Sequence, residues 1–225
     1  MMKNICMVSL LIITSIFTSF KMEENNKLPK GYKGKPFADE VYKEGAQIIP
    51  GRIQCALFDL GGEGIAYHDS DAINKGSGEY NYQAGHCEPG SERVCHFREK
   101  EGVDISYTKE LLDFNHPNPF TPERRQLYIG WTKDNESCNY TVKIKKAGIY
   151  KVGILYSNEA CKFGLSVNNT PAGSYVAPIK TTGYHTWNRA DSVGTILFSH
   201  KGLNLLTLHY NGGSNYAYLD FMLIK

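Results

Sequence analysis

Glu63, Asp69, Asp71, Glu101 and Asp104 are the carboxylates from which a bond-cleaving pair could be drawn. Glycoside hydrolysis needs two such groups on opposite sides of the scissile bond, about 5 to 9.5 Å apart. The seven histidines, at 68, 86, 96, 116, 185, 200 and 209, are dispersed along the chain. No Ser-His-Asp order with an elbow motif and no H-E-x-x-H appears. Asp69, Asp71, Asn74 and Gly76 lack EF-hand spacing and a closing Glu, so they read as a hydrogen-bonded turn. Five cysteines follow Cys6: Cys55, Cys87, Cys95, Cys138 and Cys161. No pair has zinc-ligand spacing. In an oxidising compartment Cys87 and Cys95 could close a small loop, and an odd count leaves at least one thiol free or paired with another chain. Cys55 and Cys138 sit in strand-like runs and read as buried small apolar residues. With 15 Tyr, the chain's larger chemical resource is flat rings.

The elements that would position these groups read as strands. Tyr140 to Lys145 alternates in and out, Ala147-Gly148 turns the chain, and Ile149 to Tyr156 returns. Phe163 to Val167 alternates again and stops at the turn cluster Asn168-Asn169-Thr170-Pro171. Thr195 to Phe198, Leu203 to Tyr210 and Tyr216 to Ile224 follow, separated by Lys201-Gly202 and Asn211-Gly212-Gly213. Short strands at regular spacing, with only Lys109 to Phe114 tempting a helical turn, indicate an all-β sandwich.

Residues 1–20 read as an export signal: Lys3 supplies a short positive region and Ile5 to Ile13 is nearly all apolar. The apolar run is too short to span a bilayer as a stable helix. Residues 21–47 are polar, with Pro29, Gly31 and Gly34, and read either as a tether or as a lead-in packed through Phe37, Val41 and Tyr42. A net charge of +2 gives no electrostatic footprint for nucleic acid or an anionic membrane.

A series of short motifs sharpens this reading: Ile49-Pro50-Gly51, Gly61-Gly62-Glu63-Gly64, Tyr67-His68-Asp69, Glu101-Gly102-Val103-Asp104-Ile105, Ile129-Gly130-Trp131-Thr132 and Leu219-Asp220-Phe221. Their order, over residues 48–225, resembles the family 6 carbohydrate-binding modules. The resemblance implies a jelly-roll β-sandwich opening on Arg52 to Phe58 and closing on Tyr218 to Ile224. It also implies a loop-end cleft in which two rings flank one sugar and an asparagine bonds its hydroxyls.

Carried over position by position, the resemblance makes Phe97 the first ring, where the family has a tyrosine, and Tyr184 the second. Trp187 matches a tryptophan that more often packs into the core. For the asparagine, alignment from the glycines favours Asn215, whereas alignment back from Asp220 puts Tyr218 in its place. A structural calcium ion is implied at the first and last strands. Here Gln54 and Ala56 replace the acidic pair, leaving Gln54 and Asp220 as candidates for a degraded or absent site.

Two insertions depart from the family: residues 76–98, carrying Tyr80, Tyr82, His86, Cys87 and Cys95, and residues 106–125, carrying His116-Pro117-Asn118-Pro119. The first joins the segment expected to supply a ring, so it could wall the cleft. Together these observations imply an exported, monomeric, non-catalytic binder of polysaccharide or oligosaccharide. It would require no cofactor and would work alone or beside separate glycoside hydrolases. A protein-interaction sandwich and, less favoured, a glycoside-active enzyme are the alternatives.

Overall fold

Alternation decides which face each strand buries. In Ser137–Ile144 the side chains of Cys138, Tyr140, Val142 and Ile144 all point inward and are buried. The computed structural model describes residues 28–43, 45–158, 161–177 and 183–224. The expected leader, with Cys6, lies outside the described residues. The described residues form twelve strands: β1 Gln47–Ile49, β2 Gly51–Gln54, β3 Tyr67–His68, β4 Ile105–Tyr107, β5 Leu127–Ile129 and β6 Ser137–Ile144, then β7 Gly148–Ser157, β8 Lys162–Val167, β9 Thr170–Val176, β10 Trp187–Phe198, β11 Gly202–Tyr210 and β12 Asn215–Leu223.

They form two sheets. One has the order β1-β6-β11-β8-β9 with β3 beside β6, and the other has β10-β7-β12-β5-β4 with β2 beside β12. From β6 to β12 the chain changes sheet at every connection except the β8–β9 hairpin, the winding expected of a jelly roll. The pairings are antiparallel apart from β1 on β6. Tyr150, Val152, Ile154, Leu206, Leu208 and Phe221 belong to the main core.

Several boundaries differ from the sequence reading. The run from Arg52 to Phe58 is a strand only to Gln54, and Cys55–Leu57 is a 3-10 turn. β9 was hidden because Asn168-Asn169-Thr170-Pro171 reads as a turn. Only Asn168 and Asn169 turn, both at positive φ, and Thr170 already pairs with Val167. Proline is tolerated there because β9 is a sheet edge. β10 begins at Trp187, eight residues before the expected start at Thr195, and a register shift between Ala190 and Gly194 disguises its alternation.

Residues 28–43 lie on the sandwich. Lys35 and Leu60 exchange backbone hydrogen bonds, and the Tyr32 hydroxyl donates to Asp59 Oδ2 at 2.7 Å. Phe37 is buried in the main core and Tyr42 packs against it, whereas Val41 is exposed.

Beyond β4, the rest of the 106–125 insertion forms an outer layer. Leu155, Trp187, Ala217, Tyr218 and Tyr128 make a second apolar cluster, with Phe120 packed on it. This layer explains why β7 and β12 lose their alternation and become buried on both faces. The expected helical stretch is one turn, Glu110–Asp113. Among the described residues, no helix is long and apolar enough to cross a membrane.

Candidate binding cleft

The turn after β5 presents Trp131 with its backbone in the left-handed region, at φ 48°. Gly130 just before it has no room for a side chain: a Cβ there would lie 2.7 Å from Asn215 Oδ1. The Gly130 N–H donates to the Asp104 carbonyl at 2.9 Å. Thr132 ties this turn to the one before β12, its Oγ1 donating to the Ser214 carbonyl at 3.0 Å and its carbonyl accepting from the Gly213 N–H. Trp131 is thereby held outward, 38% exposed.

Asn215 opens β12 and is only 4% exposed. Its Nδ2 donates to Ser157 Oγ at 2.9 Å and to the Tyr184 carbonyl at 2.7 Å. Ser157 Oγ donates to the same carbonyl. This anchorage leaves the Tyr184 ring free to project, and it is 53% exposed. The 76–98 excursion brings Tyr80, which stacks on His86 with ring centres 4.1 Å apart and lies 5.9 Å from Trp131. Buried Tyr128 lies beneath, 5.3 Å from Trp187.

Tyr80, Tyr128, Trp131, Thr132, Tyr184, His185, Gly213 and Asn215 line one cavity of about 410 Å³. Beside it, Asp113 is fully buried. Its Oδ1 accepts from Trp187 Nε1 at 2.6 Å and pairs with His185 Nδ1 at 3.1 Å, while Oδ2 accepts from the Lys109 N–H at 2.7 Å. Lys109 Nζ donates to Ser106 Oγ at 2.8 Å and sits 4.1 Å above the Tyr107 ring. Burial lowers its pKa to about 8, against the opposing pull of Asp113 and Glu88. The cavity offers flat rings and hydrogen-bonding groups, an arrangement suited to a polar ligand with an apolar face.

Solved structures align with the chain over most of its length. A family 6 carbohydrate-binding module whose sub-sites were dissected by crystallography and calorimetry aligns over 80% of this chain and 98% of its own, at 10% identity and a TM-score of 0.48. A module from Clostridium stercorarium in complex with cellobiose aligns over 80% and 99%, at 11% identity and 0.49. A β-1,3-glucan-binding family 6 module from Bacillus halodurans aligns over 79% and 98%, at 13% identity and 0.46. No protein-family model matches the chain, and no curated protein matches it. The architecture and the cleft therefore stand on the sheets and side chains described above.

Of the residues singled out in the sequence, Tyr184 and Asn215 meet at this cavity. Phe97 does not. It is 5% exposed and packs edge-on against Phe37 at 5.4 Å and Tyr42 at 6.2 Å, so the expected first ring is a core residue. Tyr218 is buried in the second cluster with the Arg52 guanidinium 3.5 Å over its ring, so it is not the cleft's polar contact either. Trp187 is fully buried. Trp131, Thr132 and His185 had been given no site role, and Tyr80 only that of an insertion that could wall the cleft. Gly130-Trp131-Thr132 carried the missed signal: a tryptophan between a glycine and a threonine, just past a short strand.

The residues suggested for calcium do not fit a cation. Arg52 Nε donates to Asp220 Oδ1 at 3.0 Å and Arg189 lies 3.9 Å from Oδ2, so that carboxylate is already balanced by positive charge. Gln54 Oε1 accepts from Gln126 Nε2 at 2.9 Å. Ala56 supplies no side-chain oxygen. Among the described residues, Cys87, Cys95 and His96 bring metal-ligating atoms within 4.8 Å of one another, but the two sulfurs are disulfide-bonded to each other. Cys55, Cys138 and Cys161 are buried free thiols, and burial pushes Cys138 and Cys161 up to about 12.

Proposed function

We propose that this chain is a non-catalytic carbohydrate-binding module that takes a polysaccharide or oligosaccharide in the loop-end cleft. One observation carries the reading: Tyr80, Trp131 and Tyr184 line a single cavity together with the amide of Asn215. A pyranose has an apolar face of C–H bonds that packs on an aromatic ring and a rim of hydroxyls that wants fixed polar partners. The cleft supplies both. The described lining offers rings, an amide, an imidazole and hydroxyls, a set that supports binding over the paired carboxylates of glycoside cleavage. In this reading the protein is exported, acts as a monomer without a cofactor, and serves beside separate glycoside hydrolases. Affinity is modest, about micromolar, because few sugars stack on a small preformed site.

The test is a glycan array and affinity-gel screen of the purified protein across xylans, β-glucans, arabinans, galactans and host glycans. The expected result is retention on at least one neutral glycan, unchanged by a calcium chelator. Silence from a folded protein across the panel would overturn the proposal in favour of an interaction domain.

A further inference from the structure

We infer that His185 is the residue by which this cleft selects its ligand, acting as a hydrogen-bond acceptor for a free sugar hydroxyl, with Asp113 as its positioning residue. The inference rests on the carbohydrate reading above and deepens it. Asp113 is fully buried and its two oxygens meet three partners: Trp187 Nε1, His185 Nδ1 and the Lys109 N–H. A carboxylate only accepts, so the ring hydrogen of neutral His185 sits on Nδ1. Nε2 then carries a lone pair, and no described residue donates to it. His185 itself lines the cavity.

The rest of the polar lining shares this bias. Both hydrogens of Asn215 Nδ2 are committed, to Ser157 Oγ and to the Tyr184 carbonyl. Its Oδ1 has no donor among the described residues, so the amide can only accept from a ligand. Thr132 Oγ1 spends its hydrogen on the Ser214 carbonyl. The phenol groups of Tyr80 and Tyr184 can turn either way, but the fixed groups are acceptors. No Lys, Arg, Asp or Glu lines the cavity among the described residues. Such a site rewards O–H donors and has no cation to balance a carboxylate or sulfate. The ligand class is therefore a neutral, unsubstituted pyranose, disfavouring uronates and forms capped at the hydroxyl that faces His185. The polar groups left unpaired by a capped ligand are what would enforce the choice.

The experiment titrates the protein with cellotetraose and laminaritetraose, and with each probe oxidised to the uronate at C6, by calorimetry. Parallel titrations use His185→Phe, which keeps a ring and removes both nitrogens. Nitrogen NMR of the histidine rings is recorded on the wild type and on Asp113→Asn. We expect the wild type to bind a neutral probe at least about tenfold more tightly than its oxidised form. His185→Phe should lose about three- to tenfold in affinity while remaining folded, with a somewhat lower melting temperature because Asp113 loses a partner. The wild-type spectrum should show the Nδ1–H tautomer, with the Nε2 resonance moving as probe is added, and Asp113→Asn should mix the tautomers. Full affinity in His185→Phe, equal binding of the oxidised probes, or an Nε2–H tautomer would each overturn the inference while leaving the carbohydrate reading intact. Failure of the folded wild type to bind either neutral probe would overturn the inference for these sugars, and the array above decides separately whether the carbohydrate reading falls with it. Should Asp113→Asn fail to fold, the wild-type tautomer still decides.

Discussion

The two long excursions, residues 76–98 and 106–126, look alike in sequence and serve the cleft by opposite routes. The first puts a ring into it: Tyr80 lines the cavity directly, on a segment closed by Cys87–Cys95 and held by the Asn81 amide on the Cys95 carbonyl at 2.8 Å. The second puts no ring there. It covers the outer face of a sheet with Phe120, clasps the Trp187 N–H with Asn118 Oδ1 at 2.7 Å, and seats Asp113 behind His185. One loop supplies a contact and the other supplies the rigidity of a contact made elsewhere. Loop length alone therefore says that a segment has a task, not which kind.

Removing the anchor of the second excursion should give the largest effect. Trp187→Ala is expected to cost roughly 3–5 kcal/mol of stability in denaturant unfolding, because the indole is fully buried and bonded to Asp113. A loss under about 1 kcal/mol would show that the outer layer is not a second core. Opening the first excursion should cost less. Replacing Cys87 and Cys95 together by Ser is expected to lower stability by roughly 2–3 kcal/mol for so short a closed loop. Unchanged stability would make the cross-link incidental.

The comparison sharpens with a binding measurement. Tyr184→Ala should weaken retention of a bound glycan about ten- to thirtyfold while leaving the melting temperature in place, since the exposed ring contributes little to packing. Phe97→Ala should do the reverse, and the opposite pattern would return Phe97 to the cleft.

The gentlest effect is a slope with pH. Asp104 and Asp69 lie beneath the Trp131 turn, among Glu136, Asp71, Lys75 and Lys133, and burial raises their carboxyl pKa values to about 7 and about 6. Between the ordinary carboxylate value of 3.8 and those values the folded chain holds more protons than the unfolded one. Their contribution to stability is therefore complete below that window and lost as pH rises towards 7. The denaturant midpoint should be lower at pH 8 than at pH 5, and Asp104→Asn should flatten the difference. A midpoint that rises with pH would contradict the assignment.

Legibility followed the range of the interactions involved. β6 was readable because its alternation is local, and β7, β11 and β12 because apolar and β-branched runs are bounded by local turns, such as Ala147-Gly148 between β6 and β7. Tyr184 was reached only through the family resemblance, which places a ring just after Gly183. The core position of Phe97 was not readable, because the rings that bury it, Phe37 and Tyr42, come from a lead-in more than fifty residues earlier. Trp187 already matched a core tryptophan, but the sequence hides what covers it and Tyr218, because Phe120 reaches them from a distant insertion. The link between Asp113 and His185 spans 72 positions, and nothing local announces it.

The edge strand β9 has a bearing on how the molecule behaves in a crowd. A crowded setting brings copies of the chain against one another, with β9 as an outer margin of one sheet. Pro171 contributes no N–H to that margin and Gly173, at φ 155°, breaks its regular extension. A neighbour would find an interrupted template for adding a strand. Copies can therefore lie side by side at high density without a continuous edge along which to pair.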